Sequence, residues 1–515
     1  MLFPIGIQSF DKIRNDGYVY VDKTAQIYQL TINGNYYFLS RPRRFGKSLL
    51  LSTMEAYFLG QKELFKGLAM EQLEKEWNTY PVLHLDLNQG NYQNPDELDK
   101  VLNDALCGWE QIYGSSPSEE TLGLRFAGIM KRAFAQTGQQ VVILIDEYDK
   151  PLLQVIDNDA LQDTYRSILK SFYSVLKSQD RYIRFAFLTG VTKFSKVSIF
   201  SDLNNLKDIS MDARYADICG ISETELHRYF DEQIAQLAVT LKVDKAACYQ
   251  LLQQNYDGYH FEHDTPGMYN PFSLLNALDS QAIKSYWYET GTPTYLLKLL
   301  KQSDYNLPTL VGERARADVL NSIDTSSQRP IPVLYQSGYL TIKGYDERFK
   351  KYQLGFPNSE VEEGFLNYLW PNYAPLKRDH TEFDIEEFVH LVEDGKAEEF
   401  MRMIQTSYAA ADYRVEGDME IYFQNTLFLL FRIMGFYVQV EYPTSQGRID
   451  VIIKTTDYIY IIECKLDGSA DEALKQIATN NYAAPFAGDP RPLFSIGVNF
   501  STKTRGVEKW VIKER

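Results

Sequence analysis

Two stretches of this sequence gather residue types that handle phosphate. Residues 38–52 read FLSRPRRFGKSLLLS: a strand-like run, a basic turn, and a helical pattern that begins near Gly46-Lys47-Ser48. A helix N-terminus offers free backbone N–H groups and the positive end of a dipole to an anion. Lys47 can reach the β- and γ-phosphates of a nucleotide and Ser48 can ligate Mg²⁺, with Phe45, Gly46 and Leu49 lining the same turn. Arg43 and Arg44 flank it and can supply charge in cis. The usual pattern is GxxxxGK[ST], and Arg41 stands where its first Gly belongs, so the segment alone also reads as a basic turn before a helix. About 100 residues later comes VVILIDEYDKP, 141–151. Here a β-branched run ends in Asp146, suited to the Mg²⁺ shell, and Glu147, suited to polarising an attacking water. Alone it also reads as a strand ending in a solvated acidic turn. Both motifs fall at the carboxyl ends of expected strands, where nucleotides bind in parallel sheets, and the pair is more specific than either. A third run, RFAFLTG, sets Thr189 where a polar sensor of the γ-phosphate would stand, with Lys193 close behind.

The second stretch is RIDVIIKTTDYIYIIECKL, 448–466. If Thr456 and Asp457 form a two-residue hairpin turn, Asp450 pairs with Glu463 and their Cβ atoms lie about 5 Å apart. Lys465 projects from the same face two residues on. Like charges directly opposite are destabilising unless something compensates, and a divalent cation would. A metal-bound water beside a lysine is equipped to attack a phosphodiester. Glu420, at the start of the preceding helical run, can add a third acidic group. The alternative is a solvent-facing charge cluster.

These residues need particular elements to hold them. YYFLS (36–40), VLHLDL (82–87), VVILID (141–146) and RFAFLTG (184–190) are separated by long helical patterns, with a weaker fifth run at ADICGI (216–221). That alternation predicts a parallel sheet with helices on its faces. Ser222 and Glu225 form a capping box ahead of a helical stretch reaching about residue 300. LYQSGYLTI (334–342) reads as a helix end, a Gly turn and a strand. The last ~105 residues read αβββαβ: a helix over 420–434 closed by Gly435, strands at 437–442, 448–455 and 458–466, a helix near 470–483, and a strand at 493–500. The expected domains are 1–220, a helical lid at 221–304, a winged-helix-like region at 305–375, a helical linker at 376–410, and 411–515.

The chain has 515 residues, 53 basic and 69 acidic, for a net charge of −16. An acidic balance argues against a general nucleic-acid or anionic-membrane binder but leaves room for a local basic groove. Four widely spaced cysteines form no CxxC pair, so reduced thiols in the cytoplasm are expected. Neither a signal peptide nor a run of ~20 apolar residues is present, so no membrane contact is expected. His260 and His263 in HFEH lack further ligands nearby, so a loop is expected there rather than a zinc site. Cys464 faces away from Glu463 and Lys465 on alternation. The basic tail 503–515 reads as a solvated terminus, with steering of nucleic acid as its alternative.

Together these pieces resemble a bacterial family of AAA-ATPase-like proteins with a carboxy-terminal PD-(D/E)XK nuclease-superfamily domain. The resemblance runs through FPIGIQSFDKI, YVYVDKT, FLSRPRRFGKSLLLSTMEAYF, LIDEYDKPL, LTGVTKFSKVSIFSDLNNL, YDGYHF and YNPFSLLNAL. It continues through GTPTYLL, YQSGYLTI, LGFPNSEV and GRIDVII…YIIECKLDGSADEALKQI. RPRRFGKS is this family's own form of the phosphate loop. The resemblance implies an α/β multidomain chain: a P-loop NTPase sheet flanked by helices, a helical lid and winged-helix-like middle, and a restriction-endonuclease-like αβββαβ domain. It implies Walker A residues Lys47 and Ser48, Walker B residues Asp146 and Glu147, and a D…ExK core of Asp450, Glu463 and Lys465. Glu420 matches the helix glutamate, and Gln476 with Tyr482 matches a Gln…Tyr element of RecB-like nucleases. Gln424 stands where the family often has His.

The implied function is ATP binding and hydrolysis, with Mg²⁺ or Mn²⁺, regulating cleavage of nucleic acid, DNA ahead of RNA, in defence against foreign nucleic acid or in mobile-element biology. The chain would act as a monomer or homo-oligomer. Two rivals are an ATP-dependent signalling switch whose nuclease-like domain binds without cutting, and an ATP-driven remodeller of nucleic acid.

Overall fold

The computed structural model describes residues 1–193, 205–287, 294–310, 312–321, 323, 330–373, 385–409, 419–435, 439–441, 450–504 and 506–515. The side chains of Glu420, Gln424 and Asp450 lie outside the described residues, as do 194–204 and 288–293 of the family-like segments. The chain divides into two compact units, Met1–Leu296 with Arg314–Val361, and Leu297–Glu313 with Glu362–Arg515.

The first unit is built on five parallel strands: β1 (Tyr36–Ser40), β2 (Val82–Asp86), β3 (Val141–Asp146), β4 (Ile183–Gly190) and β5 (Lys207–Asp208), in the order β2-β3-β4-β1-β5. All positions of β1 and β3 are buried, which is why they read as unbroken apolar runs. The helix Lys47–Phe58 follows the loop after β1, and Leu122–Thr137 precedes β3. Because β4 lies between β1 and β3, its end at Thr189 falls between the phosphate loop and Asp146.

The fifth strand differs from expectation. Lys207–Asp208 pairs with Tyr37 and Phe38, whereas 216–220 runs as turn and bend. The backbone there is spent elsewhere: Tyr215 O accepts from Arg41 and Gly220 N donates to Phe45 O. Only β6 (Ile221–Ser222) forms a strand, paired with β7 (Met268–Tyr269). The capping box is as expected, Ser222 N donating to the Glu225 carboxylate at 2.8 Å and Glu225 N to Ser222 Oγ at 3.3 Å. It opens the helix Glu223–Leu241, whose Leu226, Phe230 and Ile234 pack with Leu252 and Tyr256. Further on, the helix Pro330–Gln336 and a turn at Gly338 lead into the hairpin β9 (Thr341–Asp346) and β10 (Lys351–Gly355), with β8 (Arg314–Ala315) on the far side of β10.

The second unit carries β11 (Gln439–Glu441), β12 (Asp450–Lys454), β13 (Ile459–Leu466), β14 (Leu493–Ser501) and β15 (Gly506–Glu514), in that order across one sheet. Only β13 and β14 run parallel, joined through the helix Ala470–Thr479. The helix Met419–Met434 precedes the sheet. The sixth element of the αβββαβ reading is thus followed by a seventh. The tail expected as a solvated terminus is a strand antiparallel to β14, with Val507 buried and the charged pairs Glu508-Lys509 and Lys513-Glu514 exposed. Among the described residues no helix is long and apolar enough to cross a membrane.

Gly497 of β14 lies beside Glu463, and the helix Ala470–Thr479 rests directly on it. A Cβ at Gly497 would overlap Ala470 O and lie 2.6 Å from Leu474 N. Gly497→Ala should therefore cost about 1–3 kcal/mol through overpacking. Calorimetry should show a lower melting temperature for the carboxy-terminal unit, with Gly488→Ala, where a Cβ meets nothing within 4 Å, unchanged.

Candidate functional site

The loop after β1 passes through two left-handed residues, Arg44 (φ 67°) and Gly46 (φ 90°), before the helix begins at Lys47. Arg43, Arg44 and Gly46 are exposed, Phe45 is buried, and Ser48 and Leu49 are half-buried in the first helical turn. Lys47 is 4% exposed. Its Nζ donates to Arg41 O at 3.2 Å and Pro42 O at 3.3 Å, and lies 3.4 Å from Glu147 Oε1. The Ser48 hydroxyl acts on the buried Asp146 carboxyl, favouring its charged form, and Glu147 N donates to Asp146 Oδ1 at 3.0 Å. Burial, then the Glu147 charge, raises the Asp146 carboxyl above the usual range. Glu147 itself sits at φ 52°. Thr189 Oγ1 is buried and has no partner among the described residues. The structure therefore brings Lys47, Ser48, Asp146, Glu147 and Thr189 to one end of the sheet. A hydroxyl close to a buried carboxylate, with a second hydroxyl unpartnered among the described residues, fits a Mg²⁺–phosphate ligand. Lys193 is turned to other work. Its Nζ is 2.9 Å from Asp208 Oδ2 and 2.8 Å from Asn321 Oδ1, so it braces β5.

In the second unit the hairpin has the expected two-residue turn, with Thr455 N donating to Tyr458 O at 3.0 Å, and Asp450 pairs with Glu463. Glu463 is 1% exposed. Its Oε1 lies 3.3 Å from Lys465 Nζ, while Oε2 has no partner among the described residues. Lys465 Nζ also donates to Gln476 Oε1, which the Ala470–Thr479 helix carries to it. A buried carboxyl oxygen left unpaired is costly, and a hard cation would satisfy it.

Comparison with known proteins agrees with this geometry. The family described as predicted AAA-ATPase matches residues 4–200, and the PD-(D/E)XK nuclease superfamily matches residues 418–510. A protein of Azotobacter chroococcum mcd 1, described as an uncharacterized protein in the vnfD 5′ region, is 34% identical over 528 residues, spanning 99% of this chain and 98% of that one. The chain belongs to this AAA-ATPase-like family with a PD-(D/E)XK nuclease-superfamily domain.

Not every family-like position joins a site. Tyr482 packs on Ile459, Ile461, Ile477 and Leu493, and its hydroxyl accepts from Asn480 at 2.9 Å. His260 Nδ1 is 2.8 Å from Thr265 O and His263 stacks on Tyr345. One residue escaped notice: Asp149, three beyond Asp146 in DEYD. Fully buried, it accepts from Thr192 N at 2.6 Å and Thr192 Oγ1 at 2.5 Å, clamping the turn that carries Glu147 to the exit of β4. Its acidic type in a run ending an apolar strand was the available signal, but nothing in the sequence shows it turned inward.

Burial and the Glu147 charge push the Asp149 carboxyl up to about 6. A carboxyl whose folded pKa exceeds its unfolded value stabilises the fold while protonated; that contribution is full below about pH 4 and is lost as pH rises through about 6. Asp149→Asn keeps the shape and stays neutral. In urea denaturation of the amino-terminal unit between about pH 4 and 7, the variant should lose less stability with rising pH than wild type. Equal slopes would exclude Asp149 as the titrating group.

Proposed function

We propose that this chain binds and hydrolyses ATP at the 41–49 loop and uses that cycle to control metal-dependent cleavage of nucleic acid by Asp450, Glu463 and Lys465. The single observation that carries the nuclease reading is the buried Glu463, whose Oε2 has no partner among the described residues, two residues before Lys465 and paired in register with Asp450.

At the ATP site, Lys47 takes the β- and γ-phosphates, with Ser48 and Asp146 holding Mg²⁺. Drawing Lys47 toward phosphate loosens its pairing with Glu147 and frees that carboxylate to orient water. Thr189 Oγ1 has a hydroxyl proton to offer the γ-phosphate, and Arg43 and Arg44 are exposed beside the loop. At the nuclease site, a bound Mg²⁺ or Mn²⁺ supplies an acidified water and screens phosphate charge. Asp450 and Glu463 hold it, with Glu420 as a third acidic group. Lys465, steadied by Gln476, orients the water and stabilises developing charge. Tyr482 supports the helix that carries Gln476. DNA is the proposed substrate ahead of RNA, in defence against foreign nucleic acid. The four free cysteines support a reducing, cytoplasmic setting.

A cleavage panel tests the reading: single- and double-stranded DNA and RNA, with Mg²⁺ or Mn²⁺, with and without ATP. Asp450→Ala should lose at least about 100-fold in cleavage rate, since it removes a metal ligand. Lys47→Ala should weaken ATP binding by about tenfold or more, measured by calorimetric titration. Wild type that binds ATP yet cuts nothing in the panel would overturn the nuclease reading in favour of a switch whose nuclease-like domain only binds.

A further inference from the structure

Glycine-rich phosphate loops leave their backbone bare. Here the five residues before Gly46 are Arg41-Pro42-Arg43-Arg44-Phe45, and every one reaches away to a later segment of the same unit. Arg41 is 1% exposed. Its guanidinium donates to Ser40 O at 3.0 Å, Ser210 O at 2.8 Å and Tyr215 O at 3.0 Å, and its Cζ lies 3.8 Å over the Phe261 ring. Among the described residues it has no carboxylate within ion-pair distance, and burial pulls its pKa down only to about 10, so it stays charged at neutral pH. The Pro42 ring lies against Gly338. Arg43 O accepts from Trp287 Nε1 at 3.2 Å. Arg44 Cζ sits 4.7 Å over the Phe272 ring. Phe45 meets Tyr259 and Phe261 edge to face at 4.8 and 5.6 Å, and its carbonyl accepts from Gly220 N at 3.2 Å.

A buried guanidinium held by three carbonyls and a ring is a rigid fork, not a flexible surface charge. Arg41 is also where the nucleotide side of the loop meets its far side. Lys47 Nζ now holds the carbonyls of Arg41 and Pro42, the two residues whose side chains grip 210–215, 261 and 338. A phosphate that draws Lys47 off those carbonyls changes the backbone that carries the grip.

We propose that the RPRRF segment, with Arg41 at its centre, couples nucleotide occupancy of the phosphate loop to the 210–220 and 259–261 segments. Arg41 acts as a positioning residue in place of the glycine of other phosphate loops. This inference rests on the ATP site proposed above. A ligand shifts an equilibrium only through contacts that differ between two states, and the exchange of Lys47 from carbonyl to phosphate is such a difference.

The test is hydrogen exchange on the full chain with and without Mg²⁺–ATP, alongside calorimetric titration of ATP. In wild type, ATP should slow exchange in the helix 47–58 and also in 210–220 and 259–261. Arg41→Gly, which restores the common glycine, should weaken ATP binding by about tenfold. At saturating ATP it should still protect 47–58 while losing the response at 210–220 and 259–261. Arg41→Lys keeps the charge without the fork and should recover affinity but not the remote response. If Arg41→Gly fails to fold, Phe261→Leu, which removes only the ring face, should show the same loss of remote response with ATP affinity within about threefold. ATP binding by wild type without any remote response, or a remote response unchanged in these variants, overturns the coupling alone. Failure of wild type to bind ATP overturns the nucleotide site and the coupling with it.

Discussion

Charge placed where a buried apolar run stops is the constraint around which both units are built. β3 is buried at all six positions and ends in Asp146, and β13 turns from buried isoleucines to Glu463 within one residue. Ionised carboxylates in such places must be compensated or they shift their pKa. The protein compensates each only partly. Asp146 accepts from Glu147 N, and the Ser48 hydroxyl and the Lys47 charge act on it from nearby. Glu463 has Lys465 on one oxygen and nothing described on the other. The surrounding structure serves to keep these half-satisfied groups from collapsing onto a partner: β4 separates β1 from β3, and the helix Ala470–Thr479 lies on Gly497 so that Gln476 reaches Lys465.

What was legible in the sequence follows from short-range rules. The pairing of Asp450 with Glu463 needed only the period of two along a strand and the length of one turn, both local quantities, and the structure has that register. β1 to β4 were legible as apolar runs, and β1 and β3 are buried at every position. The capping box of Ser222 and Glu225 is likewise a three-residue pattern. What stayed hidden depended on contacts far apart in the chain. Lys207–Asp208 becomes the fifth strand because Phe38 O accepts from Ile209 N and Asp208 holds Lys193, which no local pattern announces. The apolar ADICGI run looked like the better strand, yet its neighbours are consumed by Arg41 and Phe45. The last strand was masked by its charge. Lys509 and Lys513 lie on an edge strand, where exposed charge is the ordinary way to blunt an open edge.

Asp149 shows the same limit from the other side. Its residue type predicts a solvated turn, and only the inward fold of 146–149 toward Thr192 makes it a buried clamp. Tyr148 reinforces this, its backbone N–H donating to Thr189 O and its hydroxyl to Thr192 O. The turn that holds Glu147 in a left-handed conformation is therefore tied on both sides to the strand that carries Thr189. Strained backbone persists where its surroundings over-determine it, and this is such a place.

The two sites share one device. Each has a lysine, Lys47 or Lys465, whose Nζ rests between a glutamate and neutral oxygens: the carbonyls of Arg41 and Pro42 in one, the Gln476 amide in the other. Each also leaves an oxygen without a partner among the described residues, Thr189 Oγ1 or Glu463 Oε2. A lysine shared between a glutamate and neutral oxygens is pre-positioned yet not committed, because an anionic phosphate oxygen makes a stronger hydrogen bond than the neutral oxygens it would replace. The orphan oxygens are the complement: they cost stability in isolation and repay it only when a ligand or cation completes them. Folding alone does not reward that arrangement. It is the signature expected where recognition of phosphate, rather than stability, has fixed which polar groups stay unsatisfied.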